Sequence, residues 1–448
     1  MPKNGTTPAT PPYSAPEGDN ASDGSAAAEA ALRLPRGRGL RTTFRSLRHR
    51  NYRLYFFGQL VSLMGTWMQS TAVTWLAFER TGESKWTAMI LVAQILPTFF
   101  LGGVGGVLAD RVPKRTLILC TQSIFLLLAL VLAVMGWTDI LTARWLVAVS
   151  AAGGIVQAID LPARLAFVMD MASREDLMNA VALNSLLFNV ARALGPAVGG
   201  QIMRWISPEM CFVGNALSYL AVLWALASMS VAGAARLGAQ GTGVRALLSG
   251  LTFIVRRKQL LFLALLMAVI SCCGWPSQTL LPALAKSNLH SDEIGYSWML
   301  SGTGAGALVA AWTVATFGSL EHRSQMLGGG VAIVVSGLIL LALAGNLLFA
   351  VCCSALIGYG LILFLATSQS IMQLSSGDHN RGRVMAVWAT IQSGAVPLGS
   401  ILSGAAADRW GVRPVLLGLG LCCVTAVSAL LAAFGLPRSA SRAQLDHK

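Results

Sequence analysis

Apolar stretches of about 20 residues recur along this 448-residue chain from residue 54 to residue 436. Each is long enough to cross a hydrocarbon core of roughly 30 Å as a helix, and lipid offers no partner for an unpaired backbone amide. Recurrence through both halves restricts the chain to an all-α membrane protein. Composition agrees: 55% of residues are hydrophobic and 12% charged, with a mean hydropathy of +0.64, more apolar surface than a water-soluble fold can hide.

The pattern predicts twelve spans, near residues 54–78, 86–109, 116–136, 143–163, 180–203 and 209–232, then 259–284, 294–318, 325–345, 347–372, 384–407 and 412–436. Residues 1–44 are rich in Pro, Ala, Gly and Ser and read as a disordered cytoplasmic tail, with 437–448 as a second tail. The intervening organisation is a six-helix bundle over 45–232, a linker over 233–258 and a second six-helix bundle over 259–436. Within the linker Val244, Leu247, Leu248, Leu251, Ile254 and Val255 share one helical face, as expected of a helix lying on the inner leaflet.

Basic residues set the orientation. With the N-terminus inside, 25 of the 33 Lys and Arg fall on cytoplasmic segments and 7 on outer loops, leaving Arg192 within a span. The net charge of +14 therefore follows from topology and contact with anionic lipid, and no basic block stands on a soluble domain to bind nucleic acid. The cysteines, six of them in adjacent pairs inside spans, read as small apolar fillers.

Several residues stand out against the apolar background. Arg192 lies about 18 Å along the fifth span at 1.5 Å per residue, near the midplane, where a charge costs about 2.5 kcal/mol or more. It either meets an anionic group in an aqueous cavity or pairs with backbone carbonyls or with Asn184 and Asn189. Gln59, Thr66 and Gln69 recur on one face of the first span, Trp275 and Gln278 in the seventh, Trp388 and Gln392 in the eleventh. Dispersed over several helices, these stripes suggest a central cavity, although each taken singly reads as interhelical glue.

Gly106-Val-Leu-Ala-Asp110-Arg111-Val-Pro-Lys114-Arg115, between the second and third spans, resembles the loop signature of the major facilitator superfamily. Asn51 to Gln59, Gly65-Thr66-Trp67-Met68-Gln69 and Asp160-Leu-Pro162-Ala163-Arg164 are similar to its transmembrane secretion effector branch, which includes enterobactin exporters. Gly195-Pro196-Ala-Val-Gly199-Gly200 resembles the superfamily's antiporter signature. The resemblance implies two pseudo-symmetric bundles and a charge latch in the loop, with an acidic partner from the fourth span. Asp160, placed near that span's cytoplasmic end, is the expected partner.

These features point to a secondary active transporter, a proton-coupled exporter of a small amphipathic molecule such as a siderophore, drug or metabolite. A symporter-type importer and a membrane sensor or scaffold are the alternatives. No GxxxxGK[ST], HExxH or GxSxG occurs, so neither nucleotide hydrolysis nor intramembrane catalysis is expected, and neither is a cofactor or metal. The expected setting is a monomer in the bacterial inner membrane with both termini cytoplasmic. A reporter fused after residue 240 is accordingly expected to read cytoplasmic, and one inserted near Ser287 periplasmic; the reverse pattern would overturn orientation and span count together.

Overall fold

The computed structural model describes residues 45–171, 176–229, 244–318 and 322–434. Both expected tails, and the linker before Val244, lie outside the described residues. The chain divides into two units, Met1–Arg45 and Ser46–Lys448, and every α-helix among the described residues belongs to the second.

The helices are α1 (Arg50–Thr81), α2 (Ser84–Arg111), α3 (Lys114–Trp137), α4 (Ala143–Met171), α5 (Leu177–Trp205) and α6 (Pro208–Ala227). A short helix α7 (Val244–Val255) leads to α8 (Lys258–Cys273), α9 (Ser277–Ala283), α10 (Glu293–Phe317), α11 (Arg323–Ala342), α12 (Leu347–Ser375), α13 (Gly377–Trp410) and α14 (Val412–Phe434). Among the described residues, ten segments are long and apolar enough to cross a membrane, α8, α9 and the π-helical turn Leu284–Asn288 counting as one. Helices α1 and α5, at 32 and 29 residues, match the others in length and fall short only in apolarity. They are the helices that carry the polar stripe of Gln59, Thr66 and Gln69, and Arg192.

Two boundaries differ from expectation for identifiable reasons. Helix α4 continues to Met171, eight residues past the expected end, because Pro162 is accommodated inside it. Asp160 and Arg164 are thereby placed well inside a helix whose end they were expected to mark. The seventh span breaks at Gly274–Pro276, where Pro276 has no amide hydrogen to continue α8, and α9 restarts the helix. The break between the ninth and tenth spans is sharp: Asn346 caps α12 by accepting from the Phe349 amide at 2.9 Å.

Helices α1 to α6 pack largely among themselves, as do α8 to α14, and the two groups cross chiefly where α2 meets α13 and α5 meets α10. Short turns make successive helices antiparallel, so α1, α3 and α5 start from the face where α2, α4 and α6 end. That face, which also holds the start of α8 and the end of α14, is called the terminal face below. Buried apolar side chains form one cluster that runs across both groups at the opposite face, from Trp75 and Leu76 through Leu280 to Tyr296. A second cluster, with Tyr52, Tyr55, Phe167 and Leu226, stays within α1 to α6 at the terminal face. The groups are thus fused on one side only. Helix α7 buries Ile254 and lays Gly250 against the Arg383 backbone of α13, while Leu248, Leu251 and Val255 point outward, as a leaflet-lying helix requires.

Close backbone crossings hold each group together. A methyl group at Gly105 of α2 would strike the Ala158 carbonyl of α4, whereas one at Gly106 would meet nothing within 4 Å. Gly105→Ala is therefore expected to destabilise the protein by about 1–3 kcal/mol. Gly106→Ala is expected to leave stability unchanged or slightly raised, because glycine inside a helix costs about 1 kcal/mol relative to alanine. Thermal unfolding of the two variants in one detergent separates these outcomes.

Candidate functional site between the two helix groups

The most buried uncompensated charge lies where the groups cross. Arg192, 4% exposed at the middle of α5, has a buried Nη2 with no hydrogen-bond partner. Its guanidinium lies 5.8 Å from the ring of Trp67 on α1 and 5.1 Å from the ring of Trp275 in the α8–α9 break, one indole from each group. The break in the seventh span is what carries Trp275 to this point. Of the two sequence alternatives for Arg192, pairing with Asn189 is absent: that side chain donates instead to the Ser185 carbonyl of its own helix at 2.8 Å.

Other expected cavity residues divide into two kinds. Gln59 Oε1, Gln278 Nε2 and Trp388 Nε1 are buried and, like Arg192 Nη2, have no partner; Ser271 Oγ joins them. Unpaired buried polar atoms cost about 1–3 kcal/mol each, so their recurrence on α1, α5, α8, α9 and α13 needs a reason. Thr66 and Gln69 are glue instead. Thr66 Oγ1 lies 3.2 Å from the Tyr219 hydroxyl and Gln69 Oε1 accepts from Asn215 Nδ2 at 2.8 Å, both on α6. Gln392 is half-buried, one turn beyond Trp388 on α13.

The glycines of the antiporter-like stretch form the seat of this arrangement. A side chain at Gly195 would run into Trp67, one at Gly199 into Met68, and one at Gly200 into Ser297 of α10. Pro196 lies within α5 between them. From the other group, Gly304 of α10 lies against the backbone of Arg192 and Ala193.

The loop signature is distributed differently from the expected latch. Lys114 Nζ pairs with Asp170 at the end of α4, at 2.5 Å. Arg115 donates to the last carbonyls of α6, Leu226 and Ala227, both at 2.9 Å, an interaction that also suits the negative end of the helix. Asp110 and Arg111 engage no partner among the described residues. Asp160 does not reach the loop at all, because α4 extends beyond it. It is fully buried and paired with Arg164, Nε to Oδ2 at 2.6 Å. Its Oδ1 accepts from Thr121 Oγ1 at 2.6 Å and Gln122 Nε2 at 3.0 Å. Asp170 and Trp67 are the residues sequence reading missed; Trp67 stood inside the quoted Gly65 to Gln69 stretch.

At the opposite face polar contacts join the groups. Asp408, at the end of α13, accepts from the first amides of α2, Ser84 at 2.5 Å and Lys85 at 3.1 Å. Arg204 of α5 pairs with Asp292 before α10, Thr87 donates to the Thr279 carbonyl at 2.7 Å, and Trp75 stacks on Tyr296 at 5.9 Å.

A family model described as transmembrane secretion effector matches residues 41–447. The chain belongs to this family. Among curated proteins, the staphyloferrin A transporter of Staphylococcus aureus is 22% identical over 83% of this chain and 94% of its own length. Macrolide efflux protein A of Streptococcus pyogenes is 24% identical over 86% and 97%, and the multidrug efflux pump Tap of Mycolicibacterium fortuitum 23% over 82% and 92%. Among solved structures, the nucleoside transporter NupG superposes with a TM-score of 0.72 over 86% of this chain and 99% of its own, at 12% identity. The human organic anion transporter MFSD10 gives 0.60 over 85% and 99%, at 14% identity. The fold of this secretion-effector chain is that of the major facilitator transporters.

The two buried arginines call for opposite outcomes. Asp160→Asn strips Arg164 of its charge partner inside the protein and is expected to cost about 3–5 kcal/mol. Arg192→Ala removes a charge that has no counter-ion and is expected to shift the melting temperature by no more than a few degrees. Differential scanning fluorimetry on both purified variants checks the contrast.

Proposed function

We propose that this chain is an alternating-access exporter of a small amphipathic organic anion, with all twelve long segments crossing the inner membrane and the terminal face cytoplasmic. The observation that carries the reading is Arg192, held between an indole of each helix group, with a guanidinium nitrogen left unpaired. A site built of one cation and two aromatic faces suits a substrate with an anionic group and a planar or apolar body. The other unpaired polar atoms, on Gln59, Ser271, Gln278 and Trp388, are groups that a hydrated cavity or a bound substrate would satisfy. The relatives named as siderophore, macrolide and multidrug transporters support export of such compounds. A symporter-type importer would use the same cavity; nothing in the geometry favours it.

The packing fits a state open to the cytoplasm. The groups are fused at the periplasmic side through Asp408, Arg204 and Asp292, and the cytoplasmic Asp110 and Arg111 are disengaged. The chain repeats the pattern Gly-x-x-Ala-Asp-Arg at Gly106 and Gly404. Arg115 and Arg413 follow at equal spacing and do equal work, Arg413 Nη2 donating to the Ala344 carbonyl beyond α11 at 2.7 Å. By the same correspondence, Asp408 caps the start of α2 in this state and Asp110 caps the start of α13 when the cytoplasmic side closes. Lys114 and Asp170 keep the loop in place in both states. A proton gradient drives the cycle of a monomer.

Two measurements test this. Arg192→Ala is expected to raise the apparent substrate constant at least tenfold, and Arg192→Lys to recover part of the loss, because a point charge cannot make a two-pronged contact. Unchanged affinity in a stable Arg192→Ala protein would defeat the binding role. Asp408→Asn weakens two charge-assisted bonds by on the order of 1–2 kcal/mol, a roughly tenfold shift toward the outward-open form. Spin-label distances between Gly82 and Gly411 in a cysteine-depleted background would lengthen; an unaltered distribution would rule out Asp408 as a gate.

A further inference from the structure

A crevice of about 380 Å³ runs between α11 and α14 with α8 as its floor. Phe262 and Leu266 of α8, with Leu327 and Val331 of α11, are buried beneath it, whereas Gly328 of α11 and Val424 of α14 are exposed at its rim. The opening therefore faces outward, away from α12 and α13. All these residues lie in the first turns of α8 and α11 and the last turns of α14, so the crevice occupies one leaflet, next to the terminal face.

Cations stand at that end of the crevice. Lys258 begins α8 one turn before Phe262, is exposed, and has no hydrogen bond or ion pair among the described residues. Arg323 begins α11 one turn before Leu327; its Nη1 is buried without a partner and its Nε has only the Gly318 carbonyl, at 3.5 Å. An apolar slot that opens to the leaflet beneath two under-used cations is complementary to a molecule with a hydrocarbon tail and an anionic head. A lipid without a phosphate would leave Arg323 Nη1 unsatisfied, and a zwitterionic head would bring a further cation against Arg323 and Lys258.

We propose that this crevice is a site for one anionic phospholipid of the adjoining leaflet, its acyl chain lying between α11 and α14 and its phosphate on Arg323 and Lys258. At Gly328, which lines the slot, a Cβ would meet nothing within 4 Å, so a larger side chain fits there without displacing its neighbours.

The test is native mass spectrometry of the delipidated full-length protein, titrated with phosphatidylglycerol or with phosphatidylcholine of identical chains. One phosphatidylglycerol is expected to be retained at about tenfold lower concentration than phosphatidylcholine. Gly328→Leu should abolish that retention, and Ala332→Leu, on the same wall, supplies a second blocking variant should the first fold poorly. The pair Lys258→Gln and Arg323→Gln should erase the preference while leaving weak binding of both lipids. Equal retention of the two lipids by the unaltered protein would overturn the proposal, as would full retention by both blocked variants. A dimer peak lost on Gly328→Leu would also overturn it, by assigning the crevice to a second copy of the chain.

Discussion

In a bilayer the hydrophobic effect does not press helices together, since lipid tails are as apolar as leucine; what remains is close packing and polar contact. This chain relies on both, in different places. Within each helix group, small residues bring backbones into van der Waals contact: Gly105 on the Ala158 carbonyl, Gly306 on the Ala355 carbonyl, Gly358 on the Thr303 carbonyl. Such crossings leave no slack within each group. Between the groups, at the face opposite the terminal face, caps and ion pairs that water can replace stand beside the shared apolar cluster.

Buried charge is handled in two ways that match this division. Asp160 and Arg164 neutralise one another inside α1 to α6, with Thr121 and Gln122 completing the carboxylate's bonds. A pair of this sort adds little net stability but fixes which neighbours can surround it. Arg192 is left without a counter-ion at the crossing of the groups, where two indoles shield it. A lone guanidinium is tolerable where a substrate or water completes its bonding, and on the proposed alternating-access reading the crossing of α5 with α10 is such a place.

The Asp408 cap joins the two groups through two hydrogen bonds. Two amides at the start of α2 have no partner within their own helix, and the positive end of the helix dipole draws a carboxylate to them. A carboxylate that ends one helix and caps another is strong at contact and negligible a few ångströms away. That distance dependence is what the proposed gating role of Asp408 requires.

Much of this was legible in one dimension. Stretch length and hydropathy determine how many helices cross and roughly where, because lipid demands a fixed length of internally bonded backbone. The density of Lys and Arg sets an expected orientation, and the Gly106 to Arg115 loop placed the chain in its superfamily. Arg192 was conspicuous because a charge in an apolar run is costly wherever the helix points. Partners were not legible, because they depend on helix rotation and on where each helix ends, which only packing decides. Asp160 was expected at the loop, yet α4 runs on past Pro162 and Asp170 meets Lys114 instead. The α1 stripe gives one face in sequence, but packing turns Thr66 and Gln69 onto α6 and leaves Gln59 Oε1 unpaired. Trp67 reaches Arg192 because Gly195 lets α1 and α5 approach closely, and Trp275 because the seventh span breaks at Gly274–Pro276, a convergence that no local pattern encodes.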